Sequence, residues 1–253
     1  MPYRTLNPEK IIATAANLER RIGERFPDAG LKNVAGELVR LASDTAKAAN
    51  EVARPMWWLR AVIALTVIVG ALIFFFVGSF LTFNRIETDG FDAVQGVEAS
   101  INTLVLIGLG VFALFRIEER AKRHAALKGL HAMRSLVHVI DMHQLTKDPV
   151  VFSADFRPTT SSPNRSMSRV DLKRYLDYCS EMLSLTGKVA ALYAQSLADH
   201  DVLEAVNDIE NLATNLSRKI WQKIMLIKPG NAATPIAAIS ASGASKPRQR
   251  QAP

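Results

Sequence analysis

Cysteine is almost absent from this chain, because Cys179 is the only one among 253 residues. A single thiol excludes a disulfide framework and a four-thiolate zinc site. The sequence also lacks a glycine-rich phosphate loop, a Gly-x-Ser-x-Gly nucleophile elbow and the paired-cysteine spacing of a zinc motif. With these signatures missing, we predict that the protein is not an enzyme and expect neither a catalytic residue nor a cofactor.

Charge is missing from two long stretches, residues 61–83 and 99–115. The first corresponds to about 34 Å of helix, enough to cross a hydrocarbon core of about 30 Å, whereas the second is near the lower limit for a span. A buried hairpin partner is the alternative for the second stretch. We predict a transmembrane hairpin over residues 56–118, with spans at about residues 57–83 and 99–116.

The charges around these stretches predict the orientation of the hairpin. The intervening loop, residues 84–98, carries one arginine against four acidic residues, a net charge of −3, whereas lysine and arginine dominate both outer flanks. Basic flanks stay on the cytoplasmic side, which places both termini in the cytoplasm and the acidic loop outside. At the cytoplasmic membrane interface we expect Trp57, Trp58, Arg60 and Arg116.

The rest of the chain has the periodicity of helices, and no segment alternates as a strand would. Residues 1–55 predict an N-terminal helical hairpin, and the second apolar stretch continues without proline to about residue 146 as one long helix. A helical domain follows at residues 119–228, with a proline-rich loop at 149–168, and residues 229–253 read as a disordered basic tail. The predicted fold class is all-α: a two-helix transmembrane hairpin with a cytoplasmic helical bundle.

Local signals predict where helices begin and which faces are buried. Asn7 precedes a proline that suits the first helical position, and Ser168 opens a capping box. Cys179 falls in an apolar stripe, which favours a packed thiol over a nucleophile. The second N-terminal helix has a heptad-like seam formed by Leu31, Val34, Leu38, Leu41, Thr45, Ala48 and Val52.

Four histidines within one stretch suggest a metal site: His124, His131, His138 and His143. The first three are seven residues apart, so neighbours lie about 10.5 Å apart along a helix and cannot share an ion. His138 and Asp141 have a usable i, i+3 spacing and are the candidate metal ligands, if another helix completes the site. The alternative is a half-exposed helix flank without metal.

The two apolar stretches contain no ionisable residue, although proton relays and ion pathways usually need one inside the membrane. A transporter is therefore not expected. Asn102 and Thr103 are the polar neighbours that could line a pore between several copies or pack the spans against each other.

Three segments, residues 138–149, 174–193 and 216–224, resemble an uncharacterised family of bacterial two-span membrane proteins. The resemblance implies a bacterial inner-membrane location but no reaction and no functional residue.

Abundant helix without a reactive constellation favours a membrane-anchored interaction or assembly module, working as a homo-oligomer or with a cytoplasmic protein partner. The alternatives are an oligomeric pore-forming or stress effector and a metal-dependent enzyme or sensor that uses His138 and Asp141. The net charge of +7 is explained by the basic flanks and tail, so no nucleic-acid partner is expected.

Overall fold

The computed structural model describes residues 4–83, 90–153, 155–162 and 167–227, and these are all-α, as predicted. The expected tail, residues 229–253, and residues 84–89 of the expected acidic loop lie outside the described residues. A short 3-10 helix, Pro149–Phe152, lies within the proline-rich loop. The α-helices are α1 (Pro8–Arg25), α2 (Leu31–Ala53), α3 (Trp57–Phe83), α4 (Gly90–Leu145), α5 (Arg169–Ser196) and α6 (His200–Leu226).

Side-chain caps fix the starts of three of the α-helices. Asn7 Oδ1 accepts the backbone N–H of Lys10 at 3.1 Å, and Ser168 Oγ accepts that of Asp171 at 3.1 Å, as the sequence predicts. The carboxylate of Asp199 accepts two N–H groups from the first turn of α6. Each cap satisfies donors that have no partner inside their own helix.

The long helix α4 joins the two parts of the molecule. It contains 56 residues, which corresponds to about 84 Å, and it confirms the prediction of one continuous helix. It begins at Gly90 instead of residue 99, so residues 90–98 are helical and do not belong to a loop. The uncharged stretch marked a candidate span, but a helix continues until a breaker stops it, and no proline lies in this segment.

The bundle consists of α1, α2, the second half of α4, α5 and α6, and α5 is its central helix. α5 packs against each of the other four. Because neighbours cover several of its faces, its buried residues extend well beyond one stripe and include Tyr178, Leu185 and Leu192. Cys179 is fully buried among them, as expected for a packed thiol.

The buried face of α2 differs in part from the expected seam. Ala42 and Ala49 are buried, whereas the expected Leu41 and Ala48 are only half-buried and pack against the core from its side. A straight helix drifts against a strict heptad repeat, and α2 packs on α1, α4 and α5 at once. The tertiary contacts, not the seam, therefore set its register.

Ion pairs show how α6 runs along α4. Arg123 Nη1 lies 2.7 Å from Asp201 Oδ2, and Arg134 Nη2 lies 2.8 Å from Asp208 Oδ2. From the first pair to the second, the residue numbers increase on both α4 and α6, so the two helices run parallel. We call the end of the bundle where α4 and α6 terminate the distal end, and the opposite end, where the apolar helices enter, the junction.

In the apolar hairpin, α3 with the first half of α4, few of the side chains that the structure describes are covered by protein. Two helices of the chain are long and apolar enough to cross a membrane, and their most apolar segments are 6% and 0% buried inside the protein. They approach closely at Gly70, where a Cβ atom would lie 2.6 Å from Ile107 Cδ1. A groove lined by residues of both helices lies beside this approach.

Candidate functional site

A buried carboxylate lies at the junction. Glu118 is 7% exposed, and its Oε1 lies 2.8 Å from Lys122 Nζ and accepts the backbone N–H of Met56 at 3.2 Å. The hydrogen bond from Lys122 is the main cause that lowers the pKa of Glu118. Burial raises this pKa in part, and the N–H of Met56 lowers it further. Since Met56 directly precedes α3, Glu118 fastens the start of α3 to α4. Sequence reasoning missed this contact, although an acidic residue among the basic ones after the second apolar stretch was a signal.

The four residues expected at a membrane interface surround this junction. Trp57 and Trp58 are 73% and 66% exposed at the start of α3. The Arg60 guanidinium lies 5.8 Å from the Trp57 ring centroid, and the exposed Arg116 follows the apolar half of α4. The structure thus brings all four to the same end of the hairpin, and their contact with a bilayer stays a prediction.

A groove of about 450 Å³ opens beside the junction on α4. We call it the arginine groove, because three of its residues are arginines of α4. The loop before α6 closes one side of it. Its lining residues are Phe112, Arg116, Glu119, Arg120, Arg123 and Asp199.

A polar network ties α6 to the last turn of α4 at the distal end. Lys223 Nζ donates to the backbone carbonyl of Gln144 at 3.2 Å and to its side-chain Oε1 at 2.7 Å. Gln144 is buried, and its Nε2 donates to Asp141 Oδ1 at 2.6 Å. A lysine near helix-terminal carbonyls satisfies acceptors that the helix leaves open. The network is therefore a structural tie between two helix ends.

Beside this network, His143 meets Tyr175 between α4 and α5. His143 Nδ1 lies 3.3 Å from Tyr175 Oη, and burial, with a smaller effect of Lys147, lowers the pKa of His143. Burial also raises the pKa of Tyr175, and it raises that of Cys179 to about 12. The three groups are thus neutral at pH 7 and provide neither a charged acid nor a thiolate nucleophile.

The candidate metal ligands lie on one side of α4 toward its end. His138 is exposed, and Asp141 is half-buried and already accepts the hydrogen bond from Gln144. Over the ranges that the structure describes, no three His, Cys, Asp or Glu side chains come close enough to hold a metal ion. The metal site stays a prediction, and it needs ligands beyond these residues.

The groove between α3 and α4 has a volume of about 830 Å³ and a mostly apolar lining. Ser79 and Thr103 contribute hydroxyl groups to it, near the end of the hairpin remote from the bundle. Asn102 is exposed on α4 and is not part of the lining. Of the two expected pore or packing residues, Thr103 therefore faces the other helix.

Exposed apolar side chains form a patch on the last turns of α6. Trp221, Met225 and Leu226 are 52%, 78% and 71% exposed, and Arg218 and Gln222 complete a shallow groove of about 640 Å³. We call this surface the α6 patch. It lies at the distal end, where α6 runs beside the end of α4.

Comparisons of the chain with protein-family models, with curated proteins and with solved structures find no match. The resemblance of three segments to a family of two-span membrane proteins therefore stays a prediction.

Proposed function

We propose that the protein is an integral membrane protein of the bacterial inner membrane that anchors a helical assembly module. The observation that carries the proposal is the contrast between two parts of one chain. The bundle buries its apolar side chains in a continuous core, whereas the most apolar segments of the two long helices are 6% and 0% buried. Exposed apolar surface of this extent is typical of a membrane or protein contact, and the length of both helices favours the membrane.

The proposed topology has both termini and the bundle in the cytoplasm. Lysine and arginine follow the second apolar stretch, and acidic residues dominate residues 84–98 between the stretches. Trp57 and Trp58 are exposed at the same end of the hairpin as these basic residues, which suits the headgroup level of a bilayer.

Two features couple the proposed anchor to the bundle. α4 continues from the apolar hairpin into the core without a break, and Glu118 holds the start of α3 against it. The bundle is therefore held in a defined orientation to the hairpin. From Arg116 to Gln144 the helix rises about 42 Å, so the α6 patch is presented well away from the proposed membrane surface.

The proposed activity is assembly, through the α6 patch, with another copy of the chain or a cytoplasmic protein. Tryptophan and methionine are enriched at protein interfaces, and here they are exposed on a helix whose opposite face is buried. We expect crosslinking in native membranes, followed by mass spectrometry, to recover one defined oligomer or partner. The double variant Trp221→Gln/Met225→Gln should lose this product.

Leu203→Gln is the matched control, because Leu203 is an exposed apolar residue on the same helix, at the junction end. It should leave the crosslinked product unchanged. If the double variant and the control give the same product as the unaltered protein, the α6 patch is not the assembly surface. A protein that remains monomeric and without a partner contradicts the assembly function itself.

Membrane insertion is tested separately. Asp92→Cys should react with a membrane-impermeant maleimide in intact cells, and Lys128→Cys only after the cells are permeabilised. The native Cys179 is buried and contributes little background. Release of the protein from membranes at alkaline pH, or labelling of both positions from outside, would contradict the proposed anchor.

A second candidate function is an oligomeric pore or stress effector, favoured by the hydroxyl groups of Ser79 and Thr103 in the groove of the hairpin. Overproduction should then depolarise the membrane, and Thr103→Val should change the conductance. An unchanged membrane potential on overproduction would rule out this function.

A further inference from the structure

The arginine groove combines one aromatic residue of the apolar stretch with basic residues that follow it. Phe112, Arg116, Arg120 and Arg123 recur at steps of three or four residues and therefore share one face of α4. Phe112 lies on the apolar side of the boundary and the arginines on the polar side. The groove is thus amphipathic along its length.

The three arginines of the groove differ in how strongly they are paired with carboxylates of the protein. Arg123 is paired with Asp201 at 2.7 Å and lies 4.0 Å from the carboxylate of Asp199. Arg116 is 3.5 Å from Glu119 and lies over the Phe112 ring, with 5.2 Å between guanidinium and centroid.

Arg120 makes no ion pair and no hydrogen bond to any residue within the described part of the chain. Its guanidinium and the loosely paired one of Arg116 lie one helical turn apart and lack a strong acceptor. Two neighbouring guanidinium groups of this kind suit an anion with several oxygens, such as a phosphate.

The two carboxylates of the groove, those of Glu119 and Asp199, would repel such an anion to different degrees. Asp199 accepts backbone N–H groups at the start of α6, and its charge is partly balanced by Arg123. The Glu119 side chain is 66% exposed and can turn toward water. The open side of the groove is therefore the side of Arg116 and Arg120.

We propose that the arginine groove binds the phosphodiester of an anionic membrane phospholipid, with Arg116 and Arg120 on the phosphate and Phe112 beside the glycerol and acyl region. The proposal rests on the membrane insertion proposed above, which places this boundary at headgroup depth. A lipid explains both the basic and the aromatic part of the groove, because a free phosphate would contact the arginines but not Phe112. Arg123, held by Asp201 in the first turn of α6 and close to Asp199, forms the rigid side of the site.

The test is native mass spectrometry of the full chain in detergent, titrated with phosphatidylglycerol and, in parallel, with phosphatidylcholine. The unaltered protein should retain one phosphatidylglycerol in preference to phosphatidylcholine. Because each positive charge near a lipid surface contributes about fivefold in affinity, Arg116→Gln/Arg120→Gln should weaken this binding by about 25-fold. Circular dichroism checks that the variant is folded.

Lys128→Gln is the matched control. Lys128 is exposed on α4, without an ion pair in the described residues, and about 12 Å farther along the axis than Arg120. This variant loses one charge outside the groove and should bind phosphatidylglycerol as before. Equal weakening in the control and the single variant Arg120→Gln would show a general effect of net charge and overturn the site.

Inorganic phosphate distinguishes a lipid from a soluble anion. Millimolar phosphate should leave the bound phosphatidylglycerol in place, whereas complete displacement would overturn the lipid assignment in favour of a soluble phosphate. Equal binding of both lipids also overturns the proposal. The fractionation at alkaline pH is independent of these arms, so failure of membrane insertion is distinguishable from failure of the groove.

Discussion

Replacing Glu118 by alanine removes the contact that fastens α3 to α4. In the native protein the carboxylate meets Lys122 Nζ at 2.8 Å and the N–H of Met56 at 3.2 Å, with side-chain exposures of 15% for Lys122 and 9% for Glu118. The substitution leaves an ammonium group and a backbone donor without their acceptor. Both then need water at a position that the protein largely covers.

The expected cost follows from this geometry. Removing one partner of a fully buried ion pair costs about 3–5 kcal/mol. The pair at Glu118 lies at the edge of the bundle, and Lys122 can reach water in part, so we expect Glu118→Ala to lower the free energy of unfolding by about 2 kcal/mol. For a domain of this size that corresponds to a decrease in Tm of about 4–8 °C.

Two further variants separate the contributions. Glu118→Gln keeps a carbonyl oxygen for the N–H of Met56 and should cost about 1 kcal/mol. Adding Lys122→Met to Glu118→Ala removes the uncompensated charge and should recover about half of the loss. Glu119→Ala is the control, because this neighbouring side chain is 66% exposed and its loss should cost less than about 0.5 kcal/mol.

Thermal unfolding of the full chain in detergent, followed by far-UV circular dichroism, gives the Tm of each variant. Amide hydrogen exchange at Met56 should accelerate in Glu118→Ala and stay nearly native in Glu118→Gln. If Glu118→Ala has the same Tm as Glu119→Ala and its Met56 amide remains protected from exchange, the contact does not hold the junction and the reasoning is refuted.

Three other predictions concern the bundle. Gly129→Ala should destabilise the protein by about 2 kcal/mol although alanine has the better helix propensity, because the new Cβ would clash with Tyr193 Oη and lie within 2.9 Å of two carbons of its ring. Gly110→Ala, on the same helix, is the control: its Cβ meets nothing within 4 Å, so this variant should not lower the Tm. The pKa of His143 is lowered in the folded state, so below about pH 6.5 the unfolded chain binds more protons, and stability should fall as the pH decreases from about 6.5 toward the lowered folded-state pKa. His143→Gln should flatten this dependence of Tm on pH, and an unchanged slope would contradict the assignment. Cys179, with a thiol pKa of about 12, should react with a chromogenic disulfide reagent at pH 8 only after denaturation, so rapid native labelling would show that the site is open.

Much of the local structure could be predicted from the sequence. Asn7 and Ser168 cap the helices they were expected to cap, and the absence of proline correctly predicted one continuous α4. These features depend on residues within a few positions of each other, and short-range hydrogen bonding and backbone geometry decide them.

Predictions that depend on several neighbours were less complete. The seam of α2 was expected to include Leu41 and Ala48, but three packed helices turned its buried face toward Ala42 and Ala49. The start of α4 at Gly90 was also missed, because lack of charge locates an apolar stretch and not the end of a helix.

The candidate sites likewise include some features that the sequence predicts and others that depend on the tertiary structure. Composition and helical spacing are enough to locate the two uncharged stretches, the basic residues beside them and Cys179 within an apolar stripe. Only the tertiary structure joined Glu118 to Met56, 62 residues away, and His143 to Tyr175, 32 residues away. A local pattern can mark such a residue as unusual but cannot identify its partner, because the chain must fold before a carboxylate or a ring nitrogen meets the group that it contacts.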